Sequence, residues 1–358
     1  VAGIAKLSCQ GKQKAAALGS TAAYLTAMLG LGAPLVSFSL ISSAPLTAAL
    51  RLRAGHSQAA ALAEEFQQNG AVVLRGFLSP SLLEKCRKVY DDALSQPVRR
   101  GAQVKYPDGT LYNPAIGHRT DDEAVLDMVN EVPFASTLAE LWGSESVWFF
   151  DHELWWKRHG DSDNGRSAER SDTPFHQDSL AVPFRGLHVG LFWICFQPIP
   201  KENCLQVVKG SHRGPVYQLA PGTIFGMDPD EPMVPESVQP VMPMTEDERA
   251  HWEYCAWDLE PGDVVVVHPG TIHGSAPVSA SCPERHTLVL RFVGDDCWFS
   301  KGAVYIRETR EILQKAFLPS LHNDKGEYIY DKELRPGDHF SSFLSPQSLL
   351  LGPGVTAQ

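Results

Sequence analysis

The chain has seven cysteines but no C-x-x-C pair and no other zinc spacing. Cys9, Cys86, Cys195, Cys204, Cys255, Cys282 and Cys297 are odd in number and dispersed, which argues against a disulfide scaffold. They read as the reduced thiols of an intracellular, cytoplasmic protein. Positive charge is also short: 31 Lys and Arg stand against 42 Asp and Glu, a net charge of -11, with no long basic stripe to offset it. That excludes nucleic acid as a partner, since phosphate binding needs a basic surface. There is no internal repeat. Hydrophobic residues at 43% and charged residues at 20% suffice for a sizeable core and exclude a disordered chain. The length of 358 residues exceeds one typical domain, yet β-barrels with helical additions commonly run past 250 residues as one unit.

The first 53 residues lack acid altogether. They carry five bases, Lys6, Lys12, Lys14, Arg51 and Arg53, and an uncharged Ala/Leu/Ser/Gly-rich stretch interrupted by Pro34 and Pro45. Three readings stay open for a segment 1–55. It is a pair of short helices ended by the prolines and packed on the rest or on a second subunit of a homo-oligomer, a membrane-surface element over residues 15–50, or an organelle-targeting segment. Ala15 to Ala33 is just long enough for a membrane span but only moderately apolar.

From residue 56 the pattern becomes regular. A helix is expected from Ser57 to Asn69, stopped at Gly70, then a strand over 71–77. A second helix opens at Ser79-Pro80, a third runs Asp122 to Trp142, and a strand covers Val147 to Arg158. Residues 96–121 and 159–171 read as loops near a site, and 217–252 as a proline-rich excursion. Residues 301–358 read as a C-terminal helix, Val304 to Phe317, and a tail packed on the main domain, 56–300.

The most informative residues are His176, Asp178 and His273. Pro174 sets an extended entry to His176-Gln177-Asp178, and strand alternation would turn His176 and Asp178 to one face and Gln177 to the other. His273 follows a valine-rich strand, Val264 to Val267, and a turn at Pro269-Gly270. Two histidines and a carboxylate can hold one face of an iron and leave the other open. Arg285 opens a further β-branched strand, where a guanidinium could grip a carboxylate bidentately. Arg291 lies on the same strand parity, so alternation does not separate the two. His268 is the rival of His273, and a His-x-Asp triplet by itself is often a chance pairing.

His-Gln-Asp at 176–178, the segment Asn203 to His212, His273-Gly274-Ser275, and Arg285 ahead of Leu288-Val289-Leu290-Arg291-Phe292 together resemble the phytanoyl-CoA dioxygenase family of Fe(II)/2-oxoglutarate oxygenases, over roughly residues 60 to 300. The resemblance implies a mainly β fold with flanking helices, a cupin-like double-stranded β-helix or jelly-roll barrel. It implies His176, Asp178 and His273 as Fe(II) ligands, and Arg285 with Ser275 as the grip on 2-oxoglutarate, with Arg291 as the competing arginine. Trp193 would wall the cosubstrate pocket, although it also fits plain core. Such enzymes couple oxidative decarboxylation of 2-oxoglutarate by O2, giving succinate and CO2, to oxidation of an unactivated C–H bond, with ascorbate as a supporting reductant. Asp178 favours hydroxylation over halogenation, since related halogenases carry a small residue there. Desaturation, epoxidation and ring formation at the same centre stay open, as does a barrel that binds without catalysing.

For the substrate, Trp155, Trp156, Phe184, His188 and Phe192 suggest an apolar pocket for a small organic metabolite, with Trp156, Lys157, Gln177 and His188 as the residues to contact it. Lys157, Arg158, Arg166, Arg170 and Arg185 are the bases available if the substrate carries phosphates, as an acyl-CoA would.

Overall fold

In the computed structural model the four valines of one strand, 264–267, are all buried, two against one core and two against another. Such a strand must have packed layers on both faces, and the rest of the molecule supplies them. The structure describes residues 58–95, 104–105, 111–113, 123–158, 173–180, 184–217, 242–243, 245–275, 278–299, 337–339 and 349–351. All lie in the second of the two units into which the chain divides, Leu50–Gln358. The basic N-terminal segment, the helix expected at 304–317, the loop 159–171 and most of 217–252 lie outside the described residues.

The described elements begin with α1 (58–69), β1 (Ala71–Leu74), α2 (Pro80–Ser95), β2 (Val104–Lys105), β3 (Leu111–Asn113), α3 (Glu123–Glu131), α4 (Phe134–Trp142), β4 (Val147–Arg158) and β5 (Thr173–His176). They continue with β6 (Phe184–Arg185), β7 (Val189–Cys195), β8 (Leu205–Val208), β9 (Tyr254–Cys255), β10 (Val264–Val267), β11 (His273–Ser275), β12 (Glu284–Gly294), β13 (Trp298–Phe299) and β14 (Leu349–Leu351). The larger sheet has the order β1-β10-β7-β12-β4-β3-β2, with β14 also paired to β4. The smaller has the order β5-β11-β8-β9, and β6 pairs with β13. Every ladder is antiparallel. The expected double-stranded β-helix is the fold observed.

Alternation sorts the side chains of the larger sheet into two layers. Leu154, Phe192, Ile194, Val264, Val266, Leu288, Leu290 and Phe292 share a core with residues of α2, α3 and α4. Leu191, Trp193, Cys195, Val265, Val267 and Val289 face inward, sharing a second core with Leu205 and Val207 of the smaller sheet. The layers are therefore helices, large sheet, barrel interior and small sheet.

The helix expected over 122–142 is two helices, α3 and α4, because Pro133 between them has no N–H to donate and disfavours a helical residue before it. Gly70 ends α1 as expected, at φ 76°. Its carbonyl accepts bonds from the His268 amide and the Thr271 hydroxyl, both 2.8 Å, so the end of α1 is fastened to the turn that precedes His273. The tail contributes β14 to the large sheet. Among the described residues no helix is long and apolar enough to cross a membrane.

Phe192 anchors the helical layer, with ring centroids 4.7 Å from Phe134, 5.5 Å from Phe292 and 5.7 Å from Phe77. Phe192→Ala should lower the unfolding free energy by about 3–5 kcal/mol in urea titration. Leu187→Ala, at a site 67% exposed, should change it by no more than about 0.5 kcal/mol. Equal effects would contradict this packing.

Candidate metal centre

The first two imidazoles meet through strand pairing. In the β5–β11 ladder His273 stands opposite His176 and Ser275 opposite Thr173, while on its other edge β11 sets His273 against Val207. Gly274 makes the approach of these strands feasible: a Cβ there would lie 2.9 Å from the Thr173 carbonyl oxygen and 3.1 Å from the Phe175 ring. Only a residue without a side chain fits between the two ligand strands.

Asp178 is positioned differently from expectation. β5 ends at His176, and Asp178 is the first residue of a 3₁₀ turn, Asp178–Leu180. The turn is clipped to the loop before His273, where the Ser179 amide donates to the Pro269 carbonyl (3.0 Å) and Gln177 Nε2 to the Gly270 carbonyl (2.7 Å). Gln177 also donates to Pro215 O and accepts from the Tyr217 amide. The side chain expected to contact substrate is thus a buried clamp between loops, facing away from the two histidines.

His176, Asp178 and His273 each offer one donor atom, and the three atoms lie within 4.8 Å of one another. Asp178 Oδ1 is 3.4 Å from His176 Nε2 and 3.7 Å from His273 Nε2. His273 Nδ1 is 2.8 Å from the Thr271 carbonyl. That acceptor requires the proton on Nδ1, leaving the Nε2 lone pair aimed at the centre. Burial, reinforced by the neighbouring His176, pushes His273 down to about 4, so its ring is neutral near pH 7. Burial works against the Asp178 carboxylate, but Arg291 together with the two histidines outweighs it and holds the group well below its usual range. Two imidazoles and one carboxylate are the donor set that a divalent iron takes.

The two arginines share the inward face with Val289, and their surroundings separate them. Arg291 Nη2 is 2.9 Å from Asp178 Oδ2 and 2.9 Å from Glu153 Oε1, and Nη1 is 3.2 Å from Asp151 Oδ1. Arg291 is thus engaged by three carboxylates. Arg285 donates to the Asn203 carbonyl (2.6 Å) and lies 5.6 Å from the Trp193 ring centroid. Its cross-strand neighbour is Lys157, whose ammonium reaches Thr173 Oγ1 at 2.9 Å. Ser275 is two residues along β11 from His273; its side chain lies outside the described atoms. Asp151 and Glu153 escaped the sequence reading, which saw β4 as an aromatic strand. The signal was there: acids at alternate positions in a buried strand, on the parity of Lys157.

Other candidates are placed away from the centre. Trp156 lies on the opposite face of β4 from Lys157, stacked on His286, which bonds to Tyr90 of α2. His188 stacks on Trp142 and bonds to Asp295. Phe192 belongs to the helical core, and Phe184 packs edge-on against Phe150. Trp155 alone of the aromatic group packs against the interior core. Arg158 covers the Trp156 ring and Arg185 bonds to Phe184 O, while Arg166 and Arg170 lie outside the described residues. His268 is a turn residue, its Nδ1 accepting from the Gly270 amide (2.9 Å) and its Nε2 3.1 Å from the Gly186 carbonyl. The six described cysteines are free thiols, five of them buried.

Comparison with known proteins bears on the family and the fold. The phytanoyl-CoA dioxygenase family model matches residues 66–287. A Caenorhabditis elegans protein named "Probable phytanoyl-CoA dioxygenase" is 24% identical over 245 residues, covering 64% of this chain and 74% of that protein. The Rattus norvegicus "Phytanoyl-CoA dioxygenase, peroxisomal" is 28% identical over 169 residues, 43% of each chain. The epimerase SnoN from nogalamycin biosynthesis, solved in complex with Fe3+, alpha ketoglutarate and nogalamycin RO, superposes with a TM-score of 0.57. Its identity is 18%, over 82% of this chain and 99% of that one, and the likeness establishes the fold.

Two tests follow. Gly274→Ala should force β11 from β5 and lower the affinity for a divalent metal by at least about tenfold while the protein stays folded; unchanged affinity would contradict the steric role. Burial also pushes His268 down to about 4. The unfolded chain therefore takes up a proton near pH 6.5 that the folded one refuses, and stability present above that pH is lost on going down to pH 4. Wild type should lose about 3 kcal/mol more than His268→Gln over that interval, measured by urea unfolding at the two ends; parallel losses would refute it.

Proposed function

Since this chain belongs to the phytanoyl-CoA dioxygenase family, we propose that it is an Fe(II)- and 2-oxoglutarate-dependent dioxygenase that hydroxylates an unactivated C–H bond of a small organic metabolite. The observation that carries the reading is the convergence of His176, Asp178 and His273 inside the barrel mouth, on the same inner surface as Arg285 and Lys157. His176, Asp178 and His273 would hold the iron by one face. Bound iron with 2-oxoglutarate supplies O2 activation, coupling release of succinate and CO2 to oxidation of substrate, with ascorbate keeping the metal reduced.

The protein's own residues account for the rest. Arg285 and Lys157 are buried cations directly opposite one another in the β12–β4 ladder. A cosubstrate carboxylate would bind there, with the Arg285 fork holding it, Ser275 beside it and Trp193 as the wall. Arg291 is occupied by Asp178, Asp151 and Glu153, which favours Arg285 for this task. Trp155, turned inward, is the aromatic surface for an apolar substrate. The buried thiols suit a reducing compartment inside the cell.

With Fe(II) and ascorbate the protein should release succinate from 2-oxoglutarate in the presence of O2, faster when a substrate is found. His176→Ala should abolish the release. Arg285→Gln should raise the KM for 2-oxoglutarate by about 10–100-fold, the loss of a charge-assisted pair, and Arg291→Gln should not raise it comparably. No succinate above the His176→Ala background, with iron bound, would overturn the proposal.

A further inference from the structure

We infer that Arg291 is a positioning residue for Asp178: it occupies Oδ2 so that Oδ1 alone is presented between His176 and His273, and Asp151 and Glu153 exist to hold Arg291 there. The inference rests on the reading of these three residues as a metal site.

A guanidinium facing a carboxylate ordinarily spreads two N–H groups over both oxygens. Here Nε (3.3 Å) and Nη2 (2.9 Å) converge on one oxygen, Asp178 Oδ2. Oδ1 is left as the atom facing both imidazoles. Asp178 needs such a hold, because it sits on a 3₁₀ turn beyond the end of β5, and the terminal torsion of an aspartate is broad. The arginine is itself fixed from behind. Nη1 donates to Asp151 Oδ1 and Nη2 to Glu153 Oε1, which also accepts from Trp155 Nε1 at 3.2 Å.

The backbone is shaped for this contact. In the β12–β4 ladder Arg291 stands opposite Asp151, but Phe292 stands opposite Phe149, so Phe150 is an extra residue on β4. A bulge of this kind re-aims the neighbouring side chain, and the side chain it places inward is Asp151. Charge makes the same point. Three buried carboxylates, Asp178, Asp151 and Glu153, converge on the one Arg291 guanidinium.

The test uses Co(II) alone as the probe on the full chain, following affinity by titration and coordination by the visible d–d spectrum. Arg291→Lys keeps the charge but cannot hold Oδ2 from two N–H groups while reaching both other acids. It should weaken Co(II) binding by about 10–100-fold and change the spectrum, as Asp178 swings to present both oxygens. The pair Asp151→Asn/Glu153→Gln changes shape little and keeps the arginine but loosens the hold on it, and it should move the spectrum the same way by less. This second variant carries the test if the first does not fold. Affinity alone could fall from lost charge, so the spectrum decides: folded variants with the wild-type spectrum overturn the positioning role. Absence of Co(II) binding by wild type would instead overturn the metal-site reading itself.

Discussion

His176 and His273 face each other across two short strands, β5 and β11, whose separation is set by the missing side chain at Gly274. The remainder of the site is arranged around that pairing. The clamp of Gln177 on Gly270 and the Ser179–Pro269 bond carry the strand contact into the following turn, which delivers Asp178. Behind His273, the carbonyl of Gly70 holds both His268 and Thr271, and the Thr271 carbonyl holds His273 Nδ1. A continuous set of hydrogen bonds to backbone carbonyls thus runs from the end of α1 to the His273 imidazole. Two ligands sit on strands and Asp178 on a turn, and that turn is buttressed like core.

The second constraint is electrostatic. Apart from Asp263, which pairs with Arg75 at another turn, the buried Asp, Glu, Lys and Arg among the described residues are Asp151, Glu153, Asp178, Lys157, Arg285 and Arg291. The β4–β12 ladder separates them, with Asp151 opposite Arg291 near the histidines and Lys157 opposite Arg285 further along. The barrel interior therefore has an acidic end beside the metal ligands and a basic end beyond it. The proposed function assigns a divalent cation to the first of these ends and a dicarboxylate reaching towards the second.

Much of this was legible in the sequence because the relevant signals are local. Val264–Val267 reads as a doubly buried strand, Gly70 as a helix stop, Val147–Arg158 as one long strand, and each appears as such. The order and flanks of His176, Asp178 and His273 pointed to a common centre, and the structure brings them together. What was not legible depends on register and bulges. Strand alternation could not distinguish Arg285 from Arg291, because the difference lies in which β4 residue stands opposite each. The aromatic residues looked alike as pocket candidates, yet alternation with a bulge at Phe150 sends Trp155 inward and Trp156 towards α2. Gln177 and His188 were polar residues near the right place; their partners, Gly270 and Asp295, are about 93 and 107 residues away and invisible to spacing.

The central claim is that one iron is held jointly by β5, the turn after it and β11. Anaerobic calorimetric titration of Fe(II) into wild type and His273→Ala tests it most directly, since His273 is supplied by a different strand from the other two donors. The account predicts one Fe(II) per wild-type chain and loss of that site in the variant. The same stoichiometry and affinity in both proteins would contradict it.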